Sequence, residues 1–131
     1  MQIKNIFNSD YFTATDGCQI TETFGLPTAK IKEGSVAYAI MEEGLKTDEH
    51  KHDFIEWYII IKGQGLMTIN DETKEVKQGD NILIPKDSWH LIKNHKIENL
   101  EFYCFCTPAF TLEGTTMKDG AESKESIERQ F

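Results

Sequence analysis

Gly44-Leu45-Lys46-Thr47-Asp48-Glu49-His50-Lys51-His52-Asp53-Phe54-Ile55-Glu56-Trp57-Tyr58-Ile59-Ile60-Ile61-Lys62-Gly63 is the stretch on which the reading of this chain turns. His50, His52 and Glu56 can each ligate a metal, they stand at even spacing, and an apolar run carries straight on from them. Successive side chains of an extended strand alternate faces, so positions 50, 52, 54, 56, 58 and 60 share one side. Two imidazoles and a carboxylate then point into one space, beside Phe54, Tyr58 and Ile60. In a helix of 3.6 residues per turn, positions 50 and 52 would lie about 200° apart. The strand gathers the donors and the helix scatters them. Glu56 adds a separate argument, because a carboxylate set between Ile55 and Trp57 is costly to bury without a cation.

Working outward, the same alternation predicts short strands over residues 18–24, 36–41, 50–61, 66–69, 74–76, 81–84, 89–92 and 100–106. Turn formers separate them: Gly25 with Pro27, Glu33-Gly34, Gly63-Gln64-Gly65, Asn70-Asp71, Gly79-Asp80 and Pro85. No convincing helix precedes residue 110. Many short strands with turns every eight to twelve residues or so predict an all-β barrel or sandwich. Residues 1–17 read as an arm or edge strand, 18–107 as the barrel, and 108–131 as a short, mostly irregular tail. Pro108, Gly114 and Gly120 break that tail, although Ser123 or Ser126 can cap a short helix in it. A solvated tail is the plain reading of its charged end, and a lid over a barrel mouth is the sharper one.

Length and composition bound the function. A chain of 131 residues makes one domain with a real core. Formal net charge is -8, from 22 acidic against 14 basic residues. Nucleic acid and anionic membranes need a basic footprint, so neither is expected as a partner. The amino terminus lacks the apolar core of a signal peptide and no stretch approaches a membrane span. Three cysteines, Cys18, Cys104 and Cys106, form no disulfide framework and no Cys-x-x-Cys pair. Reduced thiols in a cytoplasmic protein are expected.

A second stretch mirrors the first: Gly79, five residues, Pro85, Lys86, Asp87, two residues, His90, three residues, Asn94. Together the two resemble the paired motifs of the cupin superfamily, in its small, single-domain, RmlC-like form. The first matches at Gly44, His50, His52, Glu56 and Gly63. The second matches at Gly79, Pro85, His90 and Asn94 and departs at Asp87, where the family usually carries glycine. Aspartate is among the few other residues that tolerate a left-handed turn. The resemblance implies a cupin-type double-stranded β-helix, a jelly-roll barrel, with one metal inside held by His50, His52, Glu56 and His90.

Three neutral imidazoles and one carboxylate suit a divalent transition metal: Fe, Mn, Ni, Co, Cu or Zn. An octahedral ion would keep two positions for water, substrate or dioxygen, unlike a closed structural zinc site. The function this implies is a metal-dependent enzyme acting on a small polar metabolite. It would be a dioxygenase, or an isomerase or lyase that uses the metal as a Lewis acid. The alternative is a non-catalytic barrel that holds a sugar or organic acid through its metal, and a third reading makes the metal purely structural. Tyr58, on the ligand face, is the candidate general acid. Phe54, Ile60, Ile92, Cys104 and Cys106 read as core packing, although Cys104 or Cys106 could reach the cavity, and His95 reads as an ordinary surface histidine. Trp57, Ile59 and Ile61 face the other way yet are strongly apolar, which predicts cover by the N-terminal arm or a second subunit. A homodimer is expected.

Overall fold

Where apolar and polar residues alternate, the chain forms strands. The computed structural model describes residues 1–119, so the expected helix cap at Ser123 or Ser126 lies outside the described residues. In chain order the elements are β1 (Phe12–Thr13), β2 (Gln19–Phe24), α1 (Leu26–Ala29), β3 (Ser35–Met41), β4 (His50–His52), β5 (Ile55–Lys62), β6 (Gln64–Ile69), β7 (Glu72–Lys77), β8 (Asn81–Ile84), β9 (His90–Lys93), β10 (Leu100–Thr107) and β11 (Thr115–Met117). They build two antiparallel sheets, one ordered β1-β2-β3-β10-β5-β8 and the other β11-β4-β9-β6-β7. The core lies between them. Ile20, Ala39, Tyr58, Ile60, Ile84 and Phe102 from the first sheet meet Met67, Val76 and Ile92 from the second. The all-β barrel expected from the sequence is the observed architecture.

Three details differ from the expectation, each for a local reason. The strand expected over 50–61 is broken at Asp53-Phe54, and its halves lie in different sheets, β4 in the five-stranded one and β5 in the six-stranded one. Alternation survives the corner: His52, Phe54, Glu56, Tyr58 and Ile60 are buried, while Asp53 and Ile55 are exposed. Phe54 anchors the bend by packing with Cys106 and Phe110. Secondly, residues 26–29 make a single helical turn, with Pro27 at its start and the N–H of left-handed Lys30 closing on Leu26 O at 3.0 Å. Thirdly, the tail is less irregular than its glycines imply. Thr115–Met117 pairs with β4 as an added edge strand, Thr115 opposite His52 and Met117 opposite His50.

The turn residues of the two motifs do their work through the backbone. Gly63 has φ +83°, and a side chain there would run into the carbonyl of Asn99, so only glycine fits. Asp87, the departure from the usual glycine, adopts φ +62°. The left-handed turn is therefore made without glycine, and the Asp87 N–H is aimed at His52 O, 2.7 Å away. That bond ties the second motif to the first beside the donors.

On the outside of the six-stranded sheet, Trp57 stacks on Phe105 with ring centroids 5.9 Å apart, and Tyr103 continues the aromatic row. The N-terminal arm lies along β2, where Lys4 Nζ donates to Thr23 O and sits over the Phe24 ring. Ile55, Ile61 and Leu83 stay 40%, 39% and 63% exposed beside the aromatic row. Among the described residues, no helix is long and apolar enough to cross a membrane.

Candidate metal centre

His50 and His52 arrive on β4, His90 on the neighbouring β9, and Glu56 from β5 in the opposite sheet. His50 and His90 are direct partners across the β4–β9 pairing. One donor atom from each of the four lies within 4.8 Å of every other. His52, Glu56 and His90 are buried, with His50 half-buried at the edge of the group. All four residues singled out in the sequence are brought together.

The outer nitrogens show which way the rings are set. His50 Nδ1 lies 2.6 Å from Asp48 O and His90 Nδ1 3.0 Å from Ser88 O; a carbonyl only accepts, so both Nδ1 atoms carry the proton. His52 Nδ1 lies 2.8 Å from Thr115 Oγ1, whose own proton goes to Thr111 O at 2.8 Å, so here too the imidazole donates. The Nε2 atoms are left to face inward. Those of His52 and His90 each lie 3.2 Å from Glu56 Oε1. The other oxygen, Oε2, accepts from Cys106 Sγ at 3.3 Å. Imidazole lone pairs and a carboxylate oxygen converging on one buried space are mutually repulsive unless a cation stands among them. A divalent metal fits these donors, since they are the borderline N/O set such ions prefer. Fixing each imidazole through its far nitrogen is the usual support of a metal-bound histidine.

Electrostatics follow from this crowding. Burial, then the neighbouring His90 and His52, hold His50 well below the ordinary histidine value of 6.5, with the imidazole neutral and ready to donate its lone pair. Burial pushes Glu56 up, but the close approach of His52 and then of His90 outweighs it and holds the carboxyl well below 4.5. Both shifts have the same sign for stability. The unfolded chain takes up protons at these two groups before the folded one does, so stability rises with pH through that range. The contribution of His50 is complete above pH 6.5 and fades below it; that of Glu56 fades below 4.5. The thermal midpoint of the metal-free protein should therefore fall steadily on acidification from neutral pH, as read by circular dichroism. A midpoint that rises into the acid range would contradict the assignment.

Tyr58, the expected general acid, is buried on β5, its ring 6.3 Å from that of His90 and 4.7 Å from that of Phe102. It shares the inner face of the donors one step along β5. Phe54 stacks on His52 at 4.5 Å and 14°, and Phe110 meets the same ring edge-on at 5.6 Å. Cys106 reaches the cavity, where it hydrogen-bonds Glu56. Thr115, in the tail, carried no signal beyond being a threonine near a glycine.

Comparison with known proteins agrees with this geometry. The Cupin domain family model matches residues 37–106, which span both motifs. A protein of Methanocaldococcus jannaschii, described as uncharacterized, is 38% identical over 105 residues, covering 79% of this chain and 84% of its own. Among solved structures, the polyketide cyclase RemF of Streptomyces resistomycificus superposes with a TM-score of 0.77 over 98% of this chain and 93% of its own, at 13% identity. A predicted oxalate decarboxylase of Thermotoga maritima gives a TM-score of 0.73 over 82% of this chain and 99% of its own, at 18% identity. At such identities these two structures speak for the fold alone. The paired motifs, the two-sheeted barrel and the match across residues 37–106 lead to one conclusion: the chain belongs to the cupin family.

Proposed function

We propose that this cupin is a metal-dependent enzyme acting on a small polar metabolite, with His50, His52, Glu56 and His90 as the metal ligands. The observation that carries the reading is the convergence of three inward-facing imidazoles and one carboxylate on a buried space within 4.8 Å. Burying four such groups is costly for a barrel that only needs to stand up, which weighs against a purely structural metal. When bound, a divalent transition metal supplies Lewis acidity toward substrate oxygens and, if it is redox-active, electrons toward dioxygen. The chain's own residues do the rest. Glu56, with Cys106 on its second oxygen, holds one negative charge against the ion. Phe54 and Phe110 wall one side of His52 with aromatic carbon and keep water from it. Tyr58 is proposed to give a proton to, or take one from, a substrate bound beside His90.

The reaction is an isomerisation or elimination if the native metal acts only as a Lewis acid, and a dioxygenase reaction if it is iron or copper and activates dioxygen. Elemental analysis of protein purified without chelator separates the two, read as moles of each metal per chain. Iron or copper near one per chain leads to oxygen-consumption assays, and manganese, nickel or zinc to isomerase and lyase screens. No uptake of any of these ions, even on reconstitution, would sink the enzyme reading and leave a metal-free binding barrel. A second copy of the chain is proposed to cover Ile55, Ile61 and Leu83 beside the Trp57 row, making a homodimer. Sedimentation velocity that finds a monomer at micromolar concentration would refute it.

A further inference from the structure

Residues 108–119 are built into the site. Ala109 N donates to Lys32 O at 3.0 Å and Phe110 N to Ser35 Oγ at 2.9 Å, which seats the segment against the strand-β3 side of the barrel. Gly114 O accepts from Asp53 N at 2.8 Å, at the corner between β4 and β5, and Lys118 N donates to Glu49 O at 3.1 Å just before β4. Both histidines of β4 therefore have their outer neighbour in this segment, Thr115 beside His52 and Met117 beside His50. Among these neighbours Thr115 also reaches a donor ring through its side chain.

Its hydroxyl has a defined direction. Oγ1 donates to Thr111 O at 2.8 Å, and Thr111 Oγ1 accepts from Gly114 N at 3.1 Å, so the turn ahead of β11 consumes the hydroxyl proton internally. What Thr115 offers His52 is a lone pair, and a lone pair selects the tautomer that keeps Nε2 free. His50 and His90 take the same service from backbone carbonyls, Asp48 O and Ser88 O, each two residues away in their own local chain. His52 alone of the three takes it from a side chain 63 residues distant, on the edge strand β11.

We propose that Thr115 is a positioning residue for His52, and that this hydrogen bond couples the seating of residues 108–119 to the binding of metal. The inference rests on the metal reading above and adds to it a part for the C-terminal segment. Such coupling is reciprocal: whatever the seated segment adds to metal affinity, the metal returns to the seating of the segment. A strand hydroxyl of no special role would show neither effect.

The test compares wild type, Thr115→Val and Thr115→Ser as full-length chains. Valine keeps the shape of threonine and removes the acceptor, whereas serine keeps the acceptor. Titration of Co(II) into each metal-free protein, read by visible absorption, should show about 10–100-fold weaker binding for the valine variant, the usual effect of losing an outer partner. Serine should restore binding close to wild type, whereas the metal-free valine variant should also melt below wild type, because His52 Nδ1–H and Thr111 O each lose a partner. Hydrogen exchange at residues 115–117 should slow when Zn(II) is added to wild type, and less so in the valine variant. Co(II) affinity unchanged by valine, or lost equally in serine, would overturn the proposal. Nitrogen NMR of the metal-free wild type above neutral pH decides independently of any variant's folding: His52 Nδ1 should be protonated, and an unprotonated Nδ1 overturns the assignment. Wild type that takes up no Co(II), while His52 Nδ1 is protonated as expected, would instead overturn the metal reading and the coupling with it.

Discussion

Replacing His52 by alanine should abolish metal binding while leaving the barrel folded. His52 is buried, and its inward nitrogen lies 3.2 Å from the Glu56 oxygen that His90 also approaches, so it stands at the centre of the donor group. Losing an outer partner of a ligand typically weakens a site 10–100-fold; losing the ligand itself should exceed that, leaving less than a tenth of a metal per chain or so after dialysis. The cost to the fold is a separate and smaller matter. The ring packs flat on Phe54 and edge-on to Phe110, and alanine leaves a hole there worth about 2–3 kcal/mol. Removal of a crowded basic group from beside His50 offsets part of it. Elemental analysis together with far-ultraviolet circular dichroism checks both halves. Full metal occupancy in the folded variant would show that the ion sits elsewhere.

Asn94→Ala should do the reverse, costing about 2–4 kcal/mol of stability while the donor group keeps its capacity for metal. Asn94 has no exposed surface. Its Nδ2 donates to Met41 O at 3.0 Å and to Glu98 O at 2.9 Å, and its Oδ1 accepts from Lys96 N at 3.0 Å. Its backbone pairs with the first motif, N to Leu45 O and O from Gly44 N, both at 2.9 Å. Alanine keeps the backbone bonds but strands a buried carbonyl at the end of β3 and loosens the loop through Glu98. Chemical denaturation measures the loss. A variant within about 1 kcal/mol of wild type would mean that water or a shifted loop replaces the amide, and the structural role given to Asn94 would fall.

The two variants separate what the two motifs accomplish, and they bear on how much was legible beforehand. Even spacing in His50, His52 and Glu56 revealed the strand, the shared face and the donor set, because alternation is a property of the backbone that needs no tertiary information. That alternation could not reveal the corner at Asp53-Phe54. A chain that changes sheets without losing parity looks, in sequence, like one that does not. His90 was legible only through the second motif, since a lone histidine after a tryptophan carries no signal of its own. Thr115 was not legible at all. Its role comes from lying opposite His52 in a pairing that brings together residues 63 positions apart, and the glycines around it argue for a loop. The outward Trp57 row was legible as apolar, but alternation does not say what meets it.

The corner at Asp53-Phe54 also has a kinetic meaning. Because the chain changes sheets between His52 and Glu56, the four donors cannot meet until the sheets have closed face to face. The β4–β9 pairing holds the three imidazoles together, and the carboxylate that balances the charge is supplied from the opposite sheet, on β5. Binding of a metal by all four donors during refolding would therefore report the docking of the two sheets rather than strand formation.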